Sequence, residues 1–171
     1  AMVKDFARHG ARVVSLDITD EAGAVIAAEA GASYIHCDVS NEASVGPAFE
    51  QAVRQLGGLD VLVHAAGIAP GAPAEAITLS GWEKVFAVNA RGTLLTNQAA
   101  FAHLKDHGGR IINFASAAGI TGLPNKAHYA ATKGAVIAWT RTVAKEWGNT
   151  ASPSIALPPP LKPRCTSRPA R

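Results

Sequence analysis

The chain has 171 residues, 48% of them hydrophobic and 17% charged, the composition of a single globular domain and not of a disordered or fibrous polymer. Its formal charge of +3 is uneven: residues 1–150 carry 12 basic and 13 acidic side chains, while Lys162, Arg164, Arg168 and Arg171 are met by no acidic residue after position 150. A near-neutral body without a basic stripe argues against nucleic acid as a partner.

In chain order, "MVKDFARHG" (2–10) reads as a helix and "ARVVSLD" (11–17) as a strand. "EAGAVIAAEAG" (21–31) is helical, "ASYIHCD" (32–38) a strand, and "SVGPAFEQAVRQLGG" (44–58) a helix with Pro47 near its start, where proline is best tolerated. A third strand is "LDVLVHAAG" (59–67), followed by the long helical stretch "WEKVFAVNARGTLLTNQAAFAHLKDHGG" (82–109) and a fourth strand, "GRIINFAS" (109–116). The strand runs lack strict alternation, which suggests burial on both faces in a parallel sheet. Alternating strands and helices then predict a doubly wound, Rossmann-like α/β fold with helices on both faces.

Both ends depart from this pattern. The first helix has no N-cap before it, so the first strand and its turn are expected to be absent. After Gly148 comes "NTASPSIALPPPLKPRCTSRPAR", with six of the ten prolines, which predicts an irregular Pro/Arg-rich tail over 149–171 and a sheet lacking its last strands. The division is therefore a partial α/β domain over 1–148 and a tail, the abrupt change suggesting a reading-frame shift or join. No apolar run approaches the roughly 18 residues that span a bilayer, and no leader pattern opens the chain, so a cytoplasmic location without membrane contact is expected. Cys37 and Cys165 stand outside any CxxC pair or metal-spaced histidine set, so neither a disulfide framework nor a metal site is indicated.

Ligands of an open parallel sheet gather beyond the carboxyl ends of its strands. Those positions hold Asp17 after the first run, Asp38 and Val39 after the second, Ala65, Ala66 and Gly67 after the third, and Ser116 after the fourth. A carboxylate in Asp17's place accepts hydrogen bonds from an adenosine ribose and repels the extra phosphate of NADP, so NAD is favoured over NADP. Downstream, "NKAHYAATKGAV" (125–136) sets Tyr129 and Lys133 one helical turn apart among small residues. Ordinarily such a tyrosine packs and such a lysine is solvated. A fixed ammonium beside a phenol, however, stabilises the phenolate and equips it for proton transfer, and Ser116, thirteen residues upstream, offers a hydroxyl to hold a substrate oxygen.

These residues resemble the short-chain dehydrogenase/reductase family, over Met2 to about Gly148. Its YxxxK motif matches "YAATK", its serine matches Ser116 in "IINFASAAG", its asparagine matches Asn89 in "VFAVNARG", and its adenine-contacting aspartate matches Asp38 in "CDV". The resemblance implies Tyr129 as general acid or base, Lys133 as stabiliser of its phenolate and partner of the nicotinamide ribose, and Ser116 as the group that orients the substrate oxygen. It also implies that Asn89 helps hold a water on a proton path, and that residues 65–70 and 121–124 border the pocket. The implied activity is hydride transfer between NAD(H) and an alcohol or ketone. Where the family usually reads "NNAG" this chain has "HAAG", so His64 is either a satisfied core histidine or a ligand.

Two other readings stay open: a non-catalytic family fragment that does not hold cofactor, and a tail whose PxxP at 160–163 serves as a peptide ligand. A homo-oligomer is also open, with Trp139 and Trp147 either pairing between copies or packing on their own sheet.

Overall fold

Short Val- and Ile-rich runs bounded by small or polar residues form strands because β-branched side chains suit a pleated, buried surface. In a computed structural model, which describes residues 2–148 and the backbone of 151–156, each predicted run is a strand. Helix α1 (Met2–Arg8) precedes β1 (Val14–Asp17), α2 (Asp20–Glu29), β2 (Ser33–His36), α3 (Glu42–Leu56) and β3 (Val61–His64). A 3₁₀ turn (Ala74–Ala76) leads to α4 (Leu79–Phe86), a π-helical turn (Ala87–Arg91) and α5 (Gly92–Leu104). Then come β4 (Gly109–Phe114), α6 (Ala118–Thr121), α7 (Ala127–Glu146) and β5 (Ala151–Ala156).

All three strand pairings are parallel, but they fall into two sheets, β1-β2 and β3-β4-β5. Among the described residues no strand pairs with the second edge of β1 or of β3. Val61 on the open edge is accordingly 38% exposed, and Val14, Ser15 and Leu16 are only half-buried. One core nevertheless joins the two sheets. Ile35, Val45, Phe49, Ala52, Leu59, Ala100, Leu104 and Ile111 pack together, drawing on β2, α3, α5 and β4.

The expectation of irregular chain from residue 149 is corrected over Ala151–Ala156, which pairs with the whole of β4, Ile111 opposite Pro153. Pro153 and two serines weaken the strand signal in the sequence. A proline lacks the N–H for a ladder bond, yet an edge strand needs such bonds on one side only, and among the described residues β5 lies at the edge. The remaining residues, among them Cys165 and the PxxP segment at 160–163, lie outside the described residues. Helix α3 starts two residues before the predicted segment, because Asn41 caps it by accepting from the Ala43 N–H at 3.1 Å. Pro47 therefore lies in the second turn, and Gly57 ends the helix at φ 73°, a conformation glycine adopts without strain.

Between β4 and the α5–α7 layer lies a buried polar network. Asn97 and Asn113 exchange amide hydrogen bonds at 2.9 Å each, Asn113 also donates to Thr140 Oγ1 at 3.0 Å, and Trp139 Nε1 donates to Asn97 Oδ1 at 3.1 Å. Such groups are tolerated inside because each has a partner, and together they fix how the two helices seat on the strand.

Candidate active site

The long helical stretch expected over 82–109 is interrupted at Asn89 by the π-helical turn between α4 and α5. A π-turn adds one residue to a helical turn and re-aims the side chains beside it. Here it drives the buried Asn89 amide against the loop after β3. Asn89 Oδ1 accepts from the Ile68 N–H at 2.8 Å, and Nδ2 donates to Ile68 O at 2.9 Å and to Thr132 Oγ1 at 3.0 Å. One side chain thus ties α5's entry, the β3 exit loop and α7 together.

Lys133 faces the same place from α7. It is only 7% exposed, and its Nζ donates to Phe114 O, the last carbonyl of β4, at 2.7 Å. Burial pushes the ammonium below the usual lysine range. The Nζ stands 5.7 Å from the centroid of the Tyr129 ring, within cation–π range of its face. Gly67 completes the junction: a Cβ there would lie 3.3 Å from Asn89 Oδ1 and 3.7 Å from Lys133 Nζ. The exposed Ala65 and Ala66 precede it.

Ser116 is half-buried two residues beyond Phe114, and its Oγ accepts from the Ala118 N–H at 3.2 Å, which sets the turn into α6. Helix α6 then docks on α7 so tightly that a Cβ on Gly119 would lie 2.6 Å from Gly134 N and from Lys133 C. The positions of Ser116 and Lys133 are therefore coupled through backbone contact. Residues 121–124 are exposed beyond α6. The Lys126 ammonium, in the last residue before α7, donates to Ala69 O and draws the 65–70 loop to the start of α7.

The β1-β2 half supplies the other predicted positions. Asp17 is exposed, with Oδ1 accepting from the Thr19 N–H at 2.9 Å. Asp38 Oδ1 accepts from Ser40 N and Ser40 Oγ at 2.9 and 2.7 Å. Val39 lies against the start of α5, where a Cβ on Gly92 would come within 3.2 Å of its own Cβ, and Arg91 donates to Ser40 O at 2.7 Å. The loops after β2 and after β3 therefore meet the same π-turn region, at one end of both sheets. Gly67, Asn89, Tyr129 and Lys133 come together; Val39 meets the adjoining π-turn region, Ser116 opens the turn into α6, which packs on α7, and Asp17 contacts Thr19 and Tyr34 at the end of β1.

Two contributors, Phe114 and Thr132, escape the sequence, and Ile68, inside the expected 65–70 border, has a role the sequence does not specify. Phe114 acts through its carbonyl, which any residue type would supply, Ile68 through both backbone groups, and Thr132 as an unremarked position inside the "YAATK" motif. His64, at the end of β3, is buried and bonds Thr96 Oγ1 through Nδ1 at 3.0 Å. Trp139 and Trp147 pack on their own chain, Trp147 stacking on Phe101 at 4.2 Å and meeting Trp139 edge-on at 6.0 Å. Cys37 is a free, buried thiol raised above the usual range by burial. Among the described residues no helix is long and apolar enough to cross a membrane.

Parallel strands flanked by helices make a Rossmann-like α/β fold. The family model described as enoyl-(acyl carrier protein) reductase matches residues 1–152. The chain is 35% identical over 169 residues to D-threitol dehydrogenase of Mycolicibacterium smegmatis, covering 92% of this chain and 65% of that protein. It is 38% identical to inactive 2-(S)-hydroxypropyl-CoM dehydrogenase 2 of Xanthobacter autotrophicus, covering 85% of this chain and 65% of that protein. To 3-alpha-(or 20-beta)-hydroxysteroid dehydrogenase of Mycobacterium tuberculosis it is 39% identical, covering 85% of this chain and 57% of that protein. The chain thus spans less than two thirds of the length of these relatives. It belongs to the short-chain dehydrogenase/reductase family.

Proposed function

We propose that this chain carries the proton-transfer half of an NAD-dependent oxidoreductase acting on a small-molecule alcohol or ketone. The observation that supports it best is the convergence of Lys133 on Phe114 O, the Tyr129 ring and the Gly67 loop. When bound, a nicotinamide cofactor supplies the hydride chemistry. The small, exposed run Ala65, Ala66 and Gly67 fits such a group, since a Cβ at 67 would crowd Asn89 and reach Lys133. Tyr129 and Lys133 would hold the nicotinamide side and Asp17, Asp38 and Val39 the adenosine side. The exposed Asp17 carboxylate favours a ribose hydroxyl over a phosphate, hence NAD over NADP.

In carbonyl reduction Tyr129 donates its phenolic proton to the substrate oxygen as that oxygen gains negative charge; in alcohol oxidation the phenolate takes the hydroxyl proton back. Lys133 stabilises the phenolate by its charge. Ser116 orients the substrate oxygen, and Asn89 holds the β3 exit loop so that these groups stay in register. Screening alcohols for NADH absorbance tests the reading. Turnover that falls at least about 100-fold in Tyr129→Phe at saturating NADH supports it; equal turnover in that variant contradicts it.

The divided sheet favours a second reading, a family chain that does not turn over. The open edges of β1 and β3 flank the place where a cofactor would cross the sheet. Failure of the chain to bind NADH, with its helices intact, would favour this reading over the first.

A further inference from the structure

We propose that His64 is a positioning residue, held by Thr96 in the tautomer that leaves a bare, buried Nε2 as the acceptor of a one-water bridge to the Lys133 ammonium. The inference rests on the proton-transfer reading above and adds to it an imidazole on the lysine's proton path.

The tautomer follows from counting hydrogens. Thr96 Oγ1 carries one proton and lies 2.8 Å from Gly92 O, which can only accept. With that proton on Gly92 O, the shortest of its contacts, the same oxygen accepts from His64 Nδ1, 3.0 Å away. A neutral imidazole protonated at Nδ1 has its lone pair on Nε2. Protonation of both nitrogens is opposed by the site, because burial and then the Lys133 charge push His64 down to about 4.

The bare nitrogen is buried, in a residue 6% exposed, and has no hydrogen-bond partner among the described residues. Buried acceptors are almost always satisfied, so this one calls for a donor. The donor is close at hand. His64 pairs with Asn113 across the β3–β4 ladder, and Lys133 Nζ is fixed to Phe114 O, one residue further along that strand. An ammonium has three hydrogens and Phe114 takes one, which leaves two for other acceptors, and the lysine is near enough for its charge to act on His64. A water held between the two satisfies both groups and gives the lysine a neutral base to exchange protons with. An apolar residue at 64 could do neither.

The test needs no cofactor, so failure of NADH binding leaves it standing. The purified chain, labelled with ¹⁵N-histidine, should show His64 at neutral pH as the Nδ1–H tautomer, with a cross-relaxation signal from a long-lived water to its ring protons. That signal should vanish in Lys133→Met and survive in Lys133→Gln, which retains a donor and controls for loss of fold. Thr96→Val should turn the single tautomer into a mixture. An Nε2–H tautomer in the unaltered chain, or a water signal indifferent to Lys133→Met, would overturn the proposal.

Discussion

The Lys133 ammonium donates to the carbonyl oxygen of Phe114 at 2.7 Å, fastening the helix that carries Tyr129 to the end of the strand that leads into Ser116. The bond has opposing consequences for stability and for function. Removing the lysine deprives Phe114 O of a donor, a loss of about 1 kcal/mol, but it also relieves the desolvation that lowers the lysine's proton affinity. Lys133→Met should therefore unfold within about 1 kcal/mol of the unaltered chain in denaturant. Its NADH affinity should nonetheless drop at least about tenfold, the loss of one charge-assisted bond. A large stability loss with affinity preserved would mean that the lysine is architectural only.

Asn89 presents the reverse case. Its amide satisfies the Ile68 N–H, the Ile68 carbonyl and the Thr132 hydroxyl, all near the protein interior. Asn89→Ala strands the two Ile68 groups, each costing about 1–3 kcal/mol if water does not reach it, while the Thr132 hydroxyl keeps its bond to Tyr129 O. The expected outcome is a loss of about 3 kcal/mol in denaturant unfolding, with faster amide exchange at Ile68. A variant as stable as the parent would show that the π-turn holds the loop without the amide.

Helix α6 sets a steric test. A Cβ on Gly119 would sit 2.6 Å from Gly134 N and Lys133 C, both backbone atoms that cannot swing aside. Gly119→Ala should push α6 off α7 at a cost of about 1–3 kcal/mol and displace Ser116 from the tyrosine's helix. The melting temperature and turnover should fall together. Unchanged values for both would contradict the close packing.

How much of this was legible beforehand depends on what kind of group does the work. The strands from Val14 to Phe114 announce themselves because apolar, β-branched runs are a side-chain property. Tyr129, Lys133 and Asn89 stand out because their types and spacing match a family pattern. The Phe114 carbonyl and the Ile68 backbone left no trace, since main-chain groups are the same in every residue. The strand Ala151–Ala156 was hidden by Pro153 and its serines, whose unsuitability for a central strand matters less at an edge. Nor does the helical periodicity of 82–109 disclose the π-turn, since one added residue barely disturbs the apolar stripe.

His64 gives the fold a pH limit. Its ordinary value is 6.5 and the folded one about 4, lowered by burial and then by Lys133, so the unfolded chain binds the proton more tightly. The stabilising neutral form is fully present above pH 6.5, and its contribution is lost progressively as pH falls from there towards 4. The span corresponds to about 3 kcal/mol. Urea unfolding between neutral pH and pH 4 should show that decline, and His64→Gln should flatten it. An identical slope in the variant would assign the acid sensitivity elsewhere.

Proton transfer by this chain requires that the junction of the Gly67 loop, Asn89, Tyr129 and Lys133 receive a nicotinamide cofactor. Titrating NADH into the purified chain and following its fluorescence asks this directly. Saturable binding at one site per chain, weakened in Lys133→Met and stronger than that of NADPH, is the predicted result. A folded chain whose NADH signal never saturates would contradict it.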